Sequence, residues 1–389
     1  VLVVEKKTFP REKTCGDGLT PRAVKQLADM GLASRLEAYH RYDGLRAVAH
    51  GVTLELRWPE HPLYPSHGYV VRRRDLDQMV AEHAEAAGAE LWQGAEALRP
   101  VFDGGIVRGA VVRRDGHETE VAARHVVIAD GSLSRFGRAL GTARDRSLPQ
   151  GLAIRGYFRS PRHADPWIES ALDLRDRFGN SLPGYGWIFP VGDGSVNVGV
   201  GLLSTFREWK RVNTTHLLDE FAATLPAHWE VDASAALGAP TGGRLPMSGS
   251  VNPKAGPGFL VVGDAAGSIN PFNGEGIDYA YETARMAAEC LDDALRGGGG
   301  LALQRYPKML DAEYALYFKV ARLFAKVIGR PALMRELTRV GIQSRTLMEW
   351  VLRIMANLLR PDEVGAAEAV YRAVAALAVA VPEPSRQVV

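Results

Sequence analysis

The chain has 389 residues, 46% hydrophobic and 24% charged, with 41 glycines, enough to bury a sizeable core across two or three lobes. A formal net charge of +2 gives no electrostatic case for nucleic-acid binding. Two cysteines, Cys15 and Cys290, are too few for a disulfide framework and point to a reducing, cytoplasmic compartment. The longest apolar run, Ala373–Val381, is about half a membrane span.

In chain order, Val1 to Glu5 reads as a buried strand that ends in an acid and lacks the regions of a signal peptide. Thr14 to Thr20 is a glycine-rich loop. A helix is expected from about Pro21, since proline suits a first helical turn. Leu45 to Trp58 alternates and contains turn formers, so strands are expected there. Arg72-Arg73-Arg74-Asp75 opens a helix to about Ala87, stopped by Gly88. Strands follow at Ile106–Arg114 and Val121–Ile128, and Pro149-Gln150-Gly151 marks a turn between lobes. Leu152 to Leu203 is strand-rich, and a helix fits Thr214 to Thr224. Leu260–Val262 is a short strand ahead of a helix from about Gly276 to Leu295. Gly297–Gly300 is a hinge, and the chain reads as helical from Gln304 onward.

A strand–loop–helix unit at each end of the first 300 residues, with strands between, predicts an α/β fold: a Rossmann-like nucleotide domain interleaved with an antiparallel substrate sheet. The expected boundaries are 1–44, 69–150 and 251–297 for the nucleotide domain, 45–68 and 151–250 for the substrate sheet, and 298–389 for a C-terminal helical region.

In a dinucleotide fold an acid ends the second strand, about 20 residues after the glycine fingerprint, and accepts from a ribose hydroxyl. Glu5 has that local context with four residues before it. The fingerprint is therefore expected upstream of Val1, and the chain as given is expected to hold its cofactor poorly. The string Gly297, Gly299, Ala302 follows a helix and reads as a linker. The strand before Gly263 delivers Asp264 to a loop of small residues, followed by Asn270-Pro271-Phe272-Asn273-Gly274-Glu275-Gly276-Ile277. Asp264 is placed to accept from ligand hydroxyls, and amides at the start of the Gly276 helix to donate to a carbonyl or phosphate; the bland alternative is a turn with a capping Asp. Val126–Ile128 likewise ends at Ala129-Asp130-Gly131. Tyr185, Trp187 and Phe189 alternate onto one face of a strand, as a substrate wall or as an ordinary core stripe. No metal site is expected.

In this order the pieces resemble the flavoprotein hydroxylase superfold over roughly the first 300 residues. The resemblance implies FAD, with Glu5, Asp130, Gly131, Gly263, Asp264, Gly274, Gly276 and Ile277 at the cofactor and Arg73 as the arginine that meets it. Tyr185-Gly186-Trp187-Ile188-Phe189-Pro190, followed after eight residues by Gly199-Val200-Gly201, resembles the YxWxFP…GxG signature of the geranylgeranyl reductase family. Those enzymes use reduced FAD to saturate carbon–carbon double bonds in isoprenoid chains. Cys15-Gly16-Asp17-Gly18-Leu19 is similar to the family's Cys-Gly-rich loop near the flavin, with Asp17 where archaeal lipid reductases usually have Gly. Continued through Ala23, the string is most similar to the actinobacterial menaquinone-reducing branch.

That likeness implies catalytic roles for Cys15, Tyr185, Trp187 and Phe189, and cofactor contacts for Cys15, Gly16, Asp17 and Gly18. It implies an isoprenoid lipid substrate, menaquinone first. A geranylgeranyl lipid, a flavin monooxygenase reaction and a catalytically silent shortened form are the alternatives. No second dinucleotide fingerprint is present, so the electron donor is expected to visit transiently or to be a protein. Lys319, Arg322 and Lys326 on a helix from Tyr314 to Ile328, with Arg335, Arg339, Arg345, Arg353 and Arg360 beyond it, form either a solvated face or a contact with the inner face of the cell membrane.

Overall fold

Residues 1–360 and 363–382 are described by the computed structural model, and the central feature among them is a seven-stranded sheet. Its order is Thr241–Pro246, Gln150–Arg159, Ser195–Leu203, Gly184–Pro190, Trp167–Ala171, Gly44–Ala49, Val52–Arg57. All neighbours pair antiparallel except Trp167–Ala171 with Gly44–Ala49, which run parallel. Two distant segments of chain therefore share one sheet.

The two faces of this sheet differ because the residues alternate. From Ser195–Leu203, the residues Val196, Val198, Val200 and Leu202 point one way and are fully or almost fully buried. They pack on Leu217, Leu218 and Phe221 of helix Thr214–Thr224, with Trp229 beneath. Asn213 caps that helix by accepting from the amides of Thr215 and His216. Gly186 belongs to this face as well: a Cβ there would stand 2.3 Å from the Phe221 ring. Each buried Val or Leu contributes about 1.5–3 kcal/mol, so this face anchors the sheet and frees the other for a different task. On that other face lie Tyr185, Trp187 and Phe189, with Asn197, Gly199 and Gly201 opposite them on the next strand.

Two short parallel pairs flank the sheet: Leu2–Glu5 with Glu90–Gln93, and Val126–Ile128 with Phe259–Val261. The expected Val121–Ile128 strand is split. Val121 pairs antiparallel with Ala110 in a three-stranded sheet, and the chain crosses over before Val126 begins the parallel pair. The helix expected from Arg72 runs Arg73–Ala86, ended by Gly88 at φ +92°. Helix Ile277–Asp293, called the inner helix below, packs Tyr279, Ala287 and Cys290 against Tyr306, Tyr314 and Phe318 of helix Arg305–Ile328. The Gly297–Gly300 hinge is a tight helical kink, with Gly297 at φ +120°.

Helix Arg305–Ile328 turns Tyr314, Tyr317, Phe318, Val320 and Ala321 inward, so the basic stripe rides on a packed core helix. The helical reading of the C-terminus also covers 361–362 and 383–389, which lie outside the described residues. Among the described residues no helix is long and apolar enough to cross a membrane.

Gly199 lies opposite Trp187, and a Cβ there would come within 2.1 Å of the indole Cζ2. Gly199→Ala is expected to displace that ring and to lower stability by about 1–3 kcal/mol; thermal unfolding with tryptophan fluorescence checks it, and an unchanged midpoint would refute it.

Candidate functional site

The site begins where the Cys15–Gly18 loop lies across the aromatic strand Gly184–Pro190. A Cβ at Gly16 or at Gly18 would stand 3.1 Å from the Phe189 ring, and at Gly16 also 3.5 Å from Trp187 Nε1. Glycine lets the backbone come this close. The aromatic rings follow one another at centroid distances of 5.8 Å and 6.2 Å. Trp187 is only 6% exposed, while Tyr185 and Phe189 are half-buried, so these two offer most of the ring area open to a ligand.

A set of polar contacts fixes the loop on the strand. The Trp187 indole donates to Asn197 Oδ1 at 3.0 Å, and Asn197 Nδ2 donates to the Cys15 carbonyl and to Asp17 Oδ2, both at 2.9 Å. Tyr157 donates its hydroxyl to the same Asp17 oxygen at 2.5 Å, and the Arg73 amide donates to Asp17 Oδ1 at 3.3 Å. Arg155 Nε donates to the Cys15 carbonyl at 3.1 Å. Asp17 is fully buried at φ +68°, a left-handed conformation that glycine adopts freely and Asp tolerates better than most residues. Burial pushes its carboxyl up to about 6, against the lowering pull of Tyr157, Asn197 and Arg155.

The second loop meets the same strand. Tyr185 donates its hydroxyl to the Asn273 carbonyl at 2.6 Å. Gly274, beside it, sits at φ +80°. Gly276 precedes the inner helix, whose first residue is Ile277. A Cβ at Gly276 would stand 3.1 Å from Ile269 and 3.4 Å from Asp264 Oδ1. Gly263, at φ +57°, gives its amide to the Thr283 hydroxyl at 3.0 Å. Asp264 pairs with Lys13 at 3.3 Å, which ties the first loop to the second.

Glu5 and Arg73 belong to a neighbouring chain of charges. Glu5 accepts from the Lys7 amide at 2.8 Å and lies 3.2 Å from Arg11 Nε. Arg11 donates to Asp77 Oδ2 at 2.8 Å, and Arg73 holds Asp77 at 2.8 and 3.0 Å. Burial works against the Arg73 charge, but the groups around it, Asp77 foremost, together raise its pKa. Asp130 stands apart. It is exposed, accepts from the Phe136 amide at 3.3 Å, and follows the strand parallel to the one leading to Asp264; Gly131 turns the chain there at φ +83°.

Several residues of this geometry carry no signal of their own in the sequence. Asn197 shares the two-residue alternation of Gly199 and Gly201, a clue to its face though not to its partners. Arg155 and Tyr157 reach the loop from a segment 140 residues away. Arg22, Asp278 and Glu282 form a buried charged set behind the second loop, and the half-buried Glu275 adjoins it.

Comparison with known proteins gives a consistent result. The family described as "FAD binding domain" matches residues 1–167. The chain is 39% identical to a menaquinone reductase of Mycolicibacterium smegmatis, over 96% of this chain and 89% of that protein. It is 40% identical to a menaquinone reductase of Mycobacterium tuberculosis, over 93% and 86%. A geranylgeranyl bacteriochlorophyll reductase-like protein from Thermoplasma acidophilum has a similar fold, with a TM-score of 0.76 at 22% identity over 96% of this chain and 92% of that one.

Asp17 keeps its proton in the folded chain from about pH 4 to about 6, where the unfolded chain has lost it. Its contribution to stability is therefore greatest below about pH 4 and falls by up to about 3 kcal/mol as pH rises through 6. Urea unfolding at pH 4 and pH 7 is expected to show this fall flattened in Asp17→Asn; equal pH slopes in the two proteins would count against it.

Proposed function

The chain belongs to the FAD-dependent geranylgeranyl reductase family, and from that premise we propose that it saturates a carbon–carbon double bond in the isoprenoid tail of menaquinone. The observation that carries this reading is the Tyr185–Asn273 hydrogen bond. It joins the aromatic strand to the loop that ends at Gly276, beside Asp264.

The residues present suit FAD. A Cβ at Gly276 would crowd Ile269 and Asp264, so glycine leaves the amides at the head of the inner helix open to an acceptor. In this reading Asp264 and Glu5 accept from ribityl and ribose hydroxyls, Arg73 meets the cofactor from the helix Arg73–Ala86, and Cys15, Gly16, Asp17 and Gly18 line its face. Asp130 and Gly131 close the neighbouring strand end. Bound FAD, once reduced, supplies a hydride.

An isoprenoid alkene has no heteroatom to polarise, so the protein's main lever is position. Tyr185 and Phe189 give an apolar surface that holds the chain by burial, at roughly 25 cal/mol per Å². Trp187, held by Asn197, sets the angle of both. The proposed division of labour places the cofactor on residues 1–44, 69–150 and 251–297, and the substrate on the sheet of 45–68 and 151–250. The electron donor is a transient visitor.

Menaquinone resides in a bilayer, and the surface carries two apolar stripes at helical spacing. Leu333, Leu337 and Val340 lie on helix Pro331–Gly341, and Val370, Val374 and Leu377 on helix Ala366–Ala380; all six are exposed. We read them as a peripheral contact with the inner face of the membrane.

Anaerobic incubation with reduced flavin and menaquinone is expected to yield a tail with one double bond saturated; product formed only with oxygen would favour a monooxygenase. Phe189→Ala is expected to lower kcat/KM for menaquinone by about 10-fold or more, as loss of about 1.5–3 kcal/mol of burial requires. FAD affinity should change less, and a loss confined to FAD binding would remove Phe189 from the substrate wall. In vesicle flotation, Leu337→Glu with Val340→Glu is expected to reduce the membrane-bound fraction; an unchanged fraction argues against this contact.

A further inference from the structure

Behind the second loop lies a charge imbalance that the roles above leave unused. Arg22, buried on helix Pro21–Asp29, donates from Nη2 to both oxygens of Glu282 at 2.8 and 2.7 Å, and its Nε lies 3.5 Å from Asp278. Glu282 also accepts from the Tyr314 hydroxyl at 2.6 Å and from Gln26 at 3.4 Å. Asp278 differs. It is fully buried, and neither of its oxygens accepts a hydrogen bond. Glu275, three residues before it, accepts from the Thr20 hydroxyl and lies 3.5 Å from the Asn273 side-chain amide.

Three carboxyls thus share one guanidinium. Ionised together they would leave two uncompensated negative charges in the interior (three against one), which low-dielectric surroundings penalise strongly. Burial raises the carboxyls of Asp278 and Glu275 above the usual carboxylate range, so protons offset the imbalance. The other groups facing the set are the phenols Tyr42, Tyr64, Tyr185, Tyr279, Tyr314 and Tyr317 and the imidazole of His61, which packs on Tyr64 and feels the Arg22 charge. Glu313 adds a further negative charge near Tyr64 and Tyr314.

Glu275 is the member whose carboxyl borders the site: it accepts from Thr20, two residues beyond the Cys15–Gly18 loop, and it acts electrostatically on the Tyr185 hydroxyl. It is half-buried, its amide donates to Asn273 Oδ1 at 3.0 Å, and the Asn273 carbonyl takes the Tyr185 hydroxyl. Its other neighbour, Gly276, abuts Asp264. Glu275 therefore stands between the cofactor-facing turn and the aromatic strand.

We propose that Glu275 delivers the proton that completes reduction of the alkene, with Arg22, Asp278 and Glu282 positioning it and keeping the set protonated. The inference rests on the reductase reading above. The carbon–carbon π bond breaks and two C–H bonds form. One comes from the hydride of reduced flavin, which is oxidised by two electrons as the alkene is reduced by two. The other comes from the Glu275 carboxyl, whose O–H bond breaks to leave a carboxylate that regains a proton from water between turnovers. Burial pushes the Glu275 carboxyl up to about 7, against the lowering pull of Thr20 and Arg22. The deliverable proton is present below that pH and is lost as pH rises through it.

The test uses the protein kept saturated by excess FAD and its Glu275→Gln, Glu275→Asp and Glu282→Gln variants. Infrared spectra from pH 5 to 9 in water and D2O, recorded in an Asp17→Asn background to remove the Asp17 band that titrates at about 6, are expected to show a carboxylic C=O band that titrates at about 7 and vanishes when Glu275→Gln is added. Turnover with menaquinone should fall by about 100-fold or more in that variant with FAD binding retained, and Glu275→Asp should restore part of it. Glu282→Gln removes a like charge and frees Arg22, so the midpoints of the band and of the rate profile should move down together. Survival of the band in Glu275→Gln, near-wild-type turnover by it, or an unmoved midpoint in Glu282→Gln overturns the proposal. Should the wild type not reduce menaquinone, the substrate reading falls, and the infrared titration alone decides whether Glu275 holds the proton. Should Glu275→Gln fail to fold, the Glu275→Asp and Glu282→Gln midpoints decide.

Discussion

Everything around the site leans on one buried side-chain amide. Asn197 uses both of its amide hydrogens and its carbonyl oxygen: it donates to the Cys15 carbonyl and the Asp17 carboxylate and accepts from Trp187. A buried amide left short of partners costs about 1–3 kcal/mol, so the loop, the indole and the strand are mutually specified. The loop can then hold Asp17 in a left-handed conformation that the chain would otherwise resist.

That arrangement in turn requires a sheet with two unlike faces. Aliphatic residues on one side bind helix Thr214–Thr224 without polar groups to satisfy. On the other side, glycines at 199 and 201 open space for rings that project from the adjacent strand. One alternation along Ser195–Leu203 supplies both properties. The aromatic stripe is thus neither a plain core nor a bare wall. Its middle ring is a structural pillar, and its outer rings remain accessible.

Much of this was legible from residue order. Pro21 and Gly88 punctuated helices found at Pro21–Asp29 and Arg73–Ala86, and helix Thr214–Thr224 matches its expected span. The FAD-binding fold and the reductase family followed from the resemblance of short strings to known families, the Gly-Asp turns for the fold and the aromatic strand Tyr185–Pro190 for the family. What could not be read were contacts made across long separations. Arg155, Tyr157 and Asn197 sit in unremarkable strand sequence, and their partners lie about 140–180 residues away. The split of Val121–Ile128 falls at Arg124-His125, and apolar residues on both sides of that pair do not reveal that the two halves join different sheets. Arg22 and Glu282 each look like ordinary surface charges on amphipathic helices until tertiary packing brings them together.

The long reach of the Cys15 loop also bears on how the molecule is assembled. The loop is synthesised well before its anchor, since Asn197 lies 182 residues further along the chain. The strand Gly44–Ala49 similarly waits for its parallel partner at Trp167–Ala171. Closing such distant pairs is entropically slow, so the N-terminal segment must remain unpaired until the middle of the chain has been synthesised. Maturation of the site is therefore a late event in the life of the nascent polypeptide, since the loop settles only once strand Ser195–Leu203 is there to hold it.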